Sequence, residues 1–312
     1  MPNPGSERPE SFQAAFHRRW DHLNDQHVRA LAWLLSAPDL LDLGAPQWGG
    51  RIATLDPDET LDGWLAALDR MPGELHANLN LQPFMRLGLY AEKLMAFYFR
   101  RRGVLAAHGL QVRGNGETVG EFDFLLHDAG GLRHLEFATK FYLCLPGSAT
   151  DVNRFVGPNL ADTLGRKLRK ILDRQLLLAA HPAAQDVLPQ QVTIAQALIK
   201  GWLFYRDADV PQDAGLSPEH CRGFWCTQSE FSEFQAEYCW LPPRLAWLAP
   251  AKVPMEQTLD HASAVARLDE YFSRDTAPVM AALLEQRNGY AVETSRGFVT
   301  PDDWPARAEQ AF

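Results

Sequence analysis

The segment Gly120-Glu121-Phe122-Asp123-Phe124-Leu125-Leu126-His127-Asp128-Ala129-Gly130-Gly131-Leu132-Arg133-His134-Leu135-Glu136-Phe137-Ala138-Thr139-Lys140-Phe141-Tyr142-Leu143 carries most of the architectural information in this chain. Asp128-Ala129-Gly130-Gly131 is a tight-turn signal between two runs rich in apolar residues, so the spacing predicts a hairpin with strands at Val119 to His127 and Leu132 to Leu143. Side chains alternate faces along a strand. Leu135, Phe137, Thr139, Phe141 and Leu143 therefore share one face, which reads as core. His134, Glu136, Ala138, Lys140 and Tyr142 share the other, where His134 and Tyr142 read as packing or rim residues. In the preceding strand the same rule sets Glu121 and Asp123 against Phe122 and Phe124. One face of the hairpin then carries Glu121, Asp123, Glu136 and Lys140 as a cluster.

The neighbouring sequence extends this hairpin into a core. Phe84 to Arg102 reads as a helix, with Leu87, Tyr90, Ala91, Leu94, Phe97 and Tyr98 along one side and Gly103 as its stop. Val104 to Val112 is a further strand, turned by Arg113-Gly114-Asn115-Gly116. Beyond a Pro/Gly loop from Pro146 to Asn159, Leu160 to Ala180 reads as one long basic amphipathic helix, and Val192 to Tyr205 as an apolar strand. The order is helix, three strands, helix, strand. It predicts an α/β (α+β) fold with a central mixed sheet flanked by helices over residues 84–206. Residues 1–83 read as an N-terminal helical extension. Phe12, Phe16, Trp20, Leu23, His27, Leu31 and Leu34 make a single helical stripe ended by Ser36-Ala37-Pro38-Asp39, and a shorter helix covers Leu61 to Leu68. Residues 207–312 read as an acidic, irregular C-terminal extension packed on the core. It holds short apolar pieces at Leu241 to Leu248 and Val279 to Leu284, a turn at Arg287-Asn288-Gly289, and a last helix opened by Asp302-Asp303-Trp304-Pro305.

Composition sets the class. Hydrophobic residues at 46% and charged residues at 22%, with nine Trp and 17 Phe, suit a globular chain able to bury a large core and argue against global disorder. No apolar run is long enough for a membrane helix and the first ten residues lack a signal-peptide core, so a cytoplasmic address and no membrane partner are expected. Cys144, Cys221, Cys226 and Cys239 are then expected as reduced thiols, since their spacing, with His220 beside them, matches no tight zinc knuckle. No Gly-x-Ser-x-Gly elbow and no phosphate-cradling Gly-Lys-Ser/Thr loop is present.

The clustered acids point to chemistry. Carboxylates held this close raise one another's pKa unless a cation lies between them. Lys140 neutralises one charge; the rest are best satisfied by a divalent ion, and all-oxygen ligands favour Mg²⁺ or Mn²⁺. Such an ion beside a lysine is suited to phosphodiester hydrolysis. Four residues separate Glu136 from Lys140, about 13 Å at ~3.3 Å per residue, so Lys140 must lean back past the small Ala138. The net charge of −9 excludes general coating of nucleic acid by the whole surface. Between Arg86 and Gln175, however, fourteen Lys and Arg stand against nine Asp and Glu. Arg100-Arg101-Arg102 and the helix residues Arg166, Lys167, Arg169 and Lys170 offer a local track for a polyanion, with DNA a better candidate than RNA. Asn159, after Gly157-Pro158, reads as an N-cap and a possible phosphate contact.

An Asp on one strand, then a Glu followed shortly by a Lys on the next, within an α-β-β-β-α-β order, resembles the PD-(D/E)XK nuclease superfamily. The resemblance implies a restriction-endonuclease-like core and a Mg²⁺- or Mn²⁺-dependent nuclease. It implies Asp123 and Glu136 as metal ligands, the Phe137 carbonyl as a further ligand, and Lys140 as the catalytic lysine. Glu92 matches the additional acidic residue of the preceding helix, and Gln175 the polar residue that faces the site from the following one. The superfamily's Glu-x-Lys spacing would put its lysine at Ala138. That departure leaves a second expectation, a catalytically impaired module binding nucleic acid or a protein partner. A wider resemblance, from about Phe84 to the C-terminus, is to the bacterial family called domain of unknown function 1853, grouped with that superfamily. It rests on Gly120-Glu121-Phe122-Asp123-Phe124, Leu135 to Leu143, Gly157-Pro158-Asn159, Gly201-Trp202-Leu203-Phe204-Tyr205, Pro243-Arg244-Leu245-Ala246-Trp247-Leu248-Ala249-Pro250 and Ser295-Arg296-Gly297-Phe298-Val299.

Overall fold

A computed structural model describes residues 10–147, 151–206 and 214–312. The first nine residues of the polar N-terminus and the expected boundary at 206/207 lie at or outside these limits.

The expected core order is present. Helix α5 (Leu87–Arg101) is followed by β1 (Leu105–Gly114), β2 (Glu117–Asp128) and β3 (Gly131–Cys144), then by helix α6 (Leu164–Asp173) and strand β5 (Val192–Tyr205), with the short β4 (Phe155–Val156) on the edge of β3. The turns form where Gly and Asn supply left-handed backbone: Asn115 and Gly116 have φ of 53° and 82°, and Gly130 has φ of 84°. β1, β2 and β3 pair antiparallel, and β3 pairs parallel with β5 along nearly its whole length.

The last third is more regular than its composition suggested. Five strands, β6 (Cys221–Thr227), β7 (Tyr238–Trp240), β8 (Lys252–Pro254), β9 (Val279–Arg287) and β10 (Tyr290–Thr300), extend the same sheet to ten strands. Their order continues β5-β6-β10-β9-β7, with β8 on β10. The Arg287-Asn288-Gly289 turn joins β9 to β10, with Asn288 and Gly289 at φ of 51° and 82°. Among the described residues no helix is long and apolar enough to cross a membrane.

Two expected helices are divided, each for a local reason. The stripe from Phe12 to Leu34 forms α1 (Phe12–Trp20) and α2 (Gln26–Ser36), separated at residues 21–25. There Asp25 Oδ1 accepts from the amides of His27 and Val28, and Asp69 Oδ1 accepts from those of Asn24 and Asp25, so side chains replace the helical partners. The basic helix starts at Leu164, because Thr163 and not Asn159 is its cap; Leu160 before it has φ of 55°. It also ends early. Arg174 leaves helical geometry (φ −132°, ψ −58°), and Gln175–Ala180 continues as a 3-10 turn.

The core lies on both faces of the sheet. On one face α1, α2, α5 and the later helices α3 (Leu61–Arg70) and α4 (Gly73–Leu79) pack Trp20, Trp33, Leu94 and Phe97 against Phe124, Leu135, Phe137 and Trp202. On the other, Leu164, Leu168, Ile171 and Leu172 of α6 cover Tyr142, Ile199 and Leu203. A buried ion pair joins the C-terminal strands to this core. Arg296 is 2% exposed and Glu293 1%. Arg296 Nε donates to Glu293 Oε1 at 2.6 Å, and its terminal nitrogens donate to the carbonyls of Trp247 and Ala249. The Pro243-to-Pro250 and Ser295-to-Val299 segments are thus joined through one guanidinium. Arg296→Met leaves Glu293 without its buried countercharge, and urea unfolding is expected to show a loss of ~3–5 kcal/mol. Adding Glu293→Gln to that variant is expected to recover part of the loss.

Candidate functional site

Strands β2 and β3 part company at the acids. Their ladder runs from Asp128↔Gly131 to Phe124↔Leu135 and stops. Beyond that pair, the Asp123 carboxylate enters the gap, and its Oδ2 accepts the Phe137 N–H at 2.9 Å. A side chain thereby satisfies an amide that the fork would leave unpaired. The same stretch of β2 is distorted. Phe124 enters the core beneath α5, while Phe122, expected on that same face, packs with Leu125 and Leu178 in a different cluster. Gly109 on the adjacent strand has a left-handed φ of 64°, the kind of irregularity that twists a strand locally.

Glu136 is 2% exposed and fully engaged. His134 Nε2 lies 2.7 Å from its Oε1, and Gln175 Nε2 donates to its Oε2 at 2.5 Å. The break after α6 is what lets Gln175 turn toward the strand. His134 is wholly buried edge-on to Phe122, and burial pushes its pKa down to about 4, so it is a neutral imidazole donating Nε2–H. Its Nδ1 has no partner. His134 was read as packing or rim, yet it orients the central carboxylate. Its place two residues before Glu136 on the same strand face was the available signal.

The three acids are electrostatically coupled. Burial, then the nearby Glu136, lifts the Asp123 carboxyl to about 7. Burial likewise lifts Glu136 to about 7, opposed by interactions with the amide and carboxyl of Asp123. Glu92, half-buried on α5, is raised to about 7 by burial and then by Asp123, Glu121 and Glu136. Glu121 is exposed and adds only its charge. Among the described residues no three His, Cys, Asp or Glu side chains form a ready-made metal cage. Carboxylate oxygens are the donors a hard divalent ion takes. Phe137 meets Asp123 through its N–H.

Lys140 is half-buried and forms no ion pair or hydrogen bond among the described residues. Burial, then the neighbouring Lys167, lowers its pKa to about 8, while Asp162 and Asp123 oppose the shift. It lines a pocket of about 360 Å³ together with Asn159, Arg86 and Arg244. Gly201 opposite it on β5 has to be glycine, since a Cβ there would collide with the Lys140 carbonyl.

The basic helix divides by face. Lys170 and Lys167 act electrostatically on Glu136 and Lys140 respectively, although Lys167 also pairs with Asp162 at 2.9 Å. Arg169 donates to Asn153, and Arg166 lies 5.2 Å over the Phe312 ring. In the other basic cluster, Arg102 is tied to Asp58. The four cysteines are buried and unpaired.

Fold and site together define a mixed α/β protein with an acid pair at a strand fork and an unpaired lysine at a neighbouring pocket. The chain belongs to the DUF1853 family (domain of unknown function), which matches residues 29–300. The match begins inside α2, well before Phe84, so α3, α4 and most of α2 fall within it while α1 precedes it. No curated protein and no solved structure matches the chain.

Because Asp123, Glu136 and Glu92 sit at about 7 when folded and at roughly 4 when unfolded, the folded chain holds protons that the unfolded chain releases. Their stabilising contribution is full below pH ~4 and is lost as pH rises through ~7. Asp123→Asn keeps an acceptor for Phe137 but removes one charge. In EDTA the excess of its melting temperature over wild type is expected to grow by about 3 °C between pH 5 and pH 8, by differential scanning fluorimetry.

Proposed function

We propose that this protein is a metal-dependent phosphodiester hydrolase acting on DNA, built on a restriction-endonuclease-like α-β-β-β-α-β core of the PD-(D/E)XK type. One observation carries the reading: Asp123 and Glu136 meet at the β2–β3 fork, where Asp123 accepts the Phe137 amide and burial pushes both carboxyls up. Asp123 and Glu136 are the residues that would hold Mg²⁺ or Mn²⁺, with Glu92 completing the acidic side from α5. When bound, the ion supplies positive charge beside the phosphoryl oxygens and acidifies water.

The chain's own groups supply the rest. His134 and Gln175 hold the two oxygens of Glu136 and so fix the plane of its carboxylate. Gln175 is therefore a positioning residue. Lys140, largely an ammonium at pH 7 with its pKa near 8, can steady charge developing on the phosphate or return a proton to the leaving oxygen. Lys170 adds positive charge on the side of Glu136. Four unpaired, buried thiols suit the reducing cytoplasmic setting expected above.

A second reading has its own support. Ala138 stands at the usual lysine position, and no hydrogen bond or ion pair joins Lys140 to Glu136, which suits a module that binds nucleic acid without turnover.

Nicking of supercoiled plasmid in Mn²⁺ separates the two. Cleavage is expected for wild type and a loss of at least ~100-fold for Asp123→Ala and Glu136→Ala. Because ligation requires deprotonated carboxylates, calorimetric Mn²⁺ affinity is expected to rise between pH 6 and 8. Wild-type-like cleavage by both variants would refute the assignment; salt-sensitive binding without cleavage supports the second reading.

A further inference from the structure

Beside the acid pair lies a pocket whose charge is not accounted for by folding. Arg86, Lys140 and Arg244 line it, and none of their three side chains has an ion pair or hydrogen bond among the described residues. The pocket's one carboxylate, Asp162, is already committed: Lys167 Nζ lies 2.9 Å from its Oδ2, and Tyr142 donates to its Oδ1 at 3.1 Å. Three cations around about 360 Å³ of open space outnumber that single carboxylate, repel one another and call for a ligand of opposite sign.

The cations come from three separate parts of the chain. Arg86 precedes α5, whose first turn also faces the pocket through Leu87 and Gly88 and has no side-chain cap. Lys140 comes from β3. Arg244 comes from the 244–246 turn and lies over the Trp247 ring, its guanidinium carbon 5.4 Å from the centroid. That turn is itself held in place by the buried Arg296, which takes the Trp247 and Ala249 carbonyls. Arg244 and Arg86 are exposed, so each can reach an anion without unfolding anything. A planar guanidinium stacked on an aromatic ring is oriented before any ligand arrives, which suits bidentate recognition of phosphate oxygens.

We infer that this pocket is a phosphate seat: Arg86 and Arg244 hold one phosphate group of a nucleic-acid strand in the pocket that Lys140 also lines, leaving Lys140 for the reacting phosphate. The inference rests on the hydrolase reading for the identity of the strand and deepens it by naming where a non-reacting phosphate is gripped. The phosphate is either a terminal monoester or an internal diester. In the first case the seat measures distance from a strand end; in the second it sets the register of a continuous strand.

The test is binding, measured apart from cleavage. Fluorescence anisotropy in EDTA uses a labelled single-stranded oligonucleotide carrying either a 5′-phosphate or a 5′-hydroxyl, on wild type and on Arg86→Ala/Arg244→Ala. Both substituted residues are exposed, and an unchanged melting temperature verifies the fold. The double variant is expected to bind about 10-fold more weakly, with the slope of log affinity against log salt reduced in magnitude by about 2. A wild-type preference for the 5′-phosphate that the variant loses identifies a terminal phosphate. Equal binding of both oligonucleotides, with both weakened in the variant, identifies an internal one. Unchanged affinity and salt slope in the double variant overturn the seat, even if plasmid nicking succeeds. Weakened binding in a protein that never cleaves keeps the seat and removes the hydrolase.

Discussion

The hydrogen bond from the Phe137 amide to the Asp123 carboxylate is the constraint around which this molecule is arranged. Two antiparallel strands that separate expose amides on their inner edges, and an unpaired amide in a buried position is costly. Here an acidic side chain fills the vacancy, which permits the fork. The fork in turn places a second acid, Glu136, beside the first, and admits a third, Glu92, from the helix packed above. Its electrostatic consequence is visible in all three groups, each raised to about 7 chiefly by burial, with neighbouring acids adding to the shift in Asp123 and Glu92 and the hydrogen bonds of Asp123 opposing it in Glu136.

Arrangements of this kind are poor for stability and useful for binding. A structural role for Glu136 would call for a cation; it receives instead two neutral donors, His134 and Gln175, which orient the carboxylate without quenching its charge. Close by, Lys140 and two arginines face a pocket with no free carboxylate to answer them. Negative and positive groups are thus concentrated in adjacent places and left incompletely paired with each other. A ligand with an anionic body and an associated divalent cation satisfies both at once, and a phosphodiester strand with its metal ion has that composition.

The candidate site was legible in the sequence to the extent that it depends on strand parity. Alternation sets Glu136 and Lys140 on one face of β3, whereas in β2 it fails at Phe122 and Asp123 reaches the site through the fork; the coupling of Glu92 to Asp123 follows from where α5 packs. His134 lay on the same face and was passed over, because parity says where a side chain points and nothing about what it meets there. The contribution of Arg244 had no local signal. It depends on Arg296, some fifty residues further on, gripping the carbonyls of its turn. The breaks in the N-terminal and basic helices were hidden for a related reason. Their apolar periodicity continues across residues whose backbone is claimed by Asp25 and Asp69 in one case and redirected at Arg174 in the other.

What the amino-acid order determined unaided was whatever follows from neighbours along the chain. Glycine and asparagine placed the hairpin turns, period-two alternation set Glu136 and Lys140 on one face of β3, and the succession of helix and strand patterns defined the α/β core. The tertiary structure alone decided that β2 and β3 would diverge at Asp123, that the acidic last third would complete a ten-stranded sheet, and that three cations from distant segments would surround one pocket. The division has a physical basis. Backbone geometry and side-chain direction are local properties, whereas burial, pairing and the pKa shifts they produce depend on which remote residues arrive beside a group once the chain is folded.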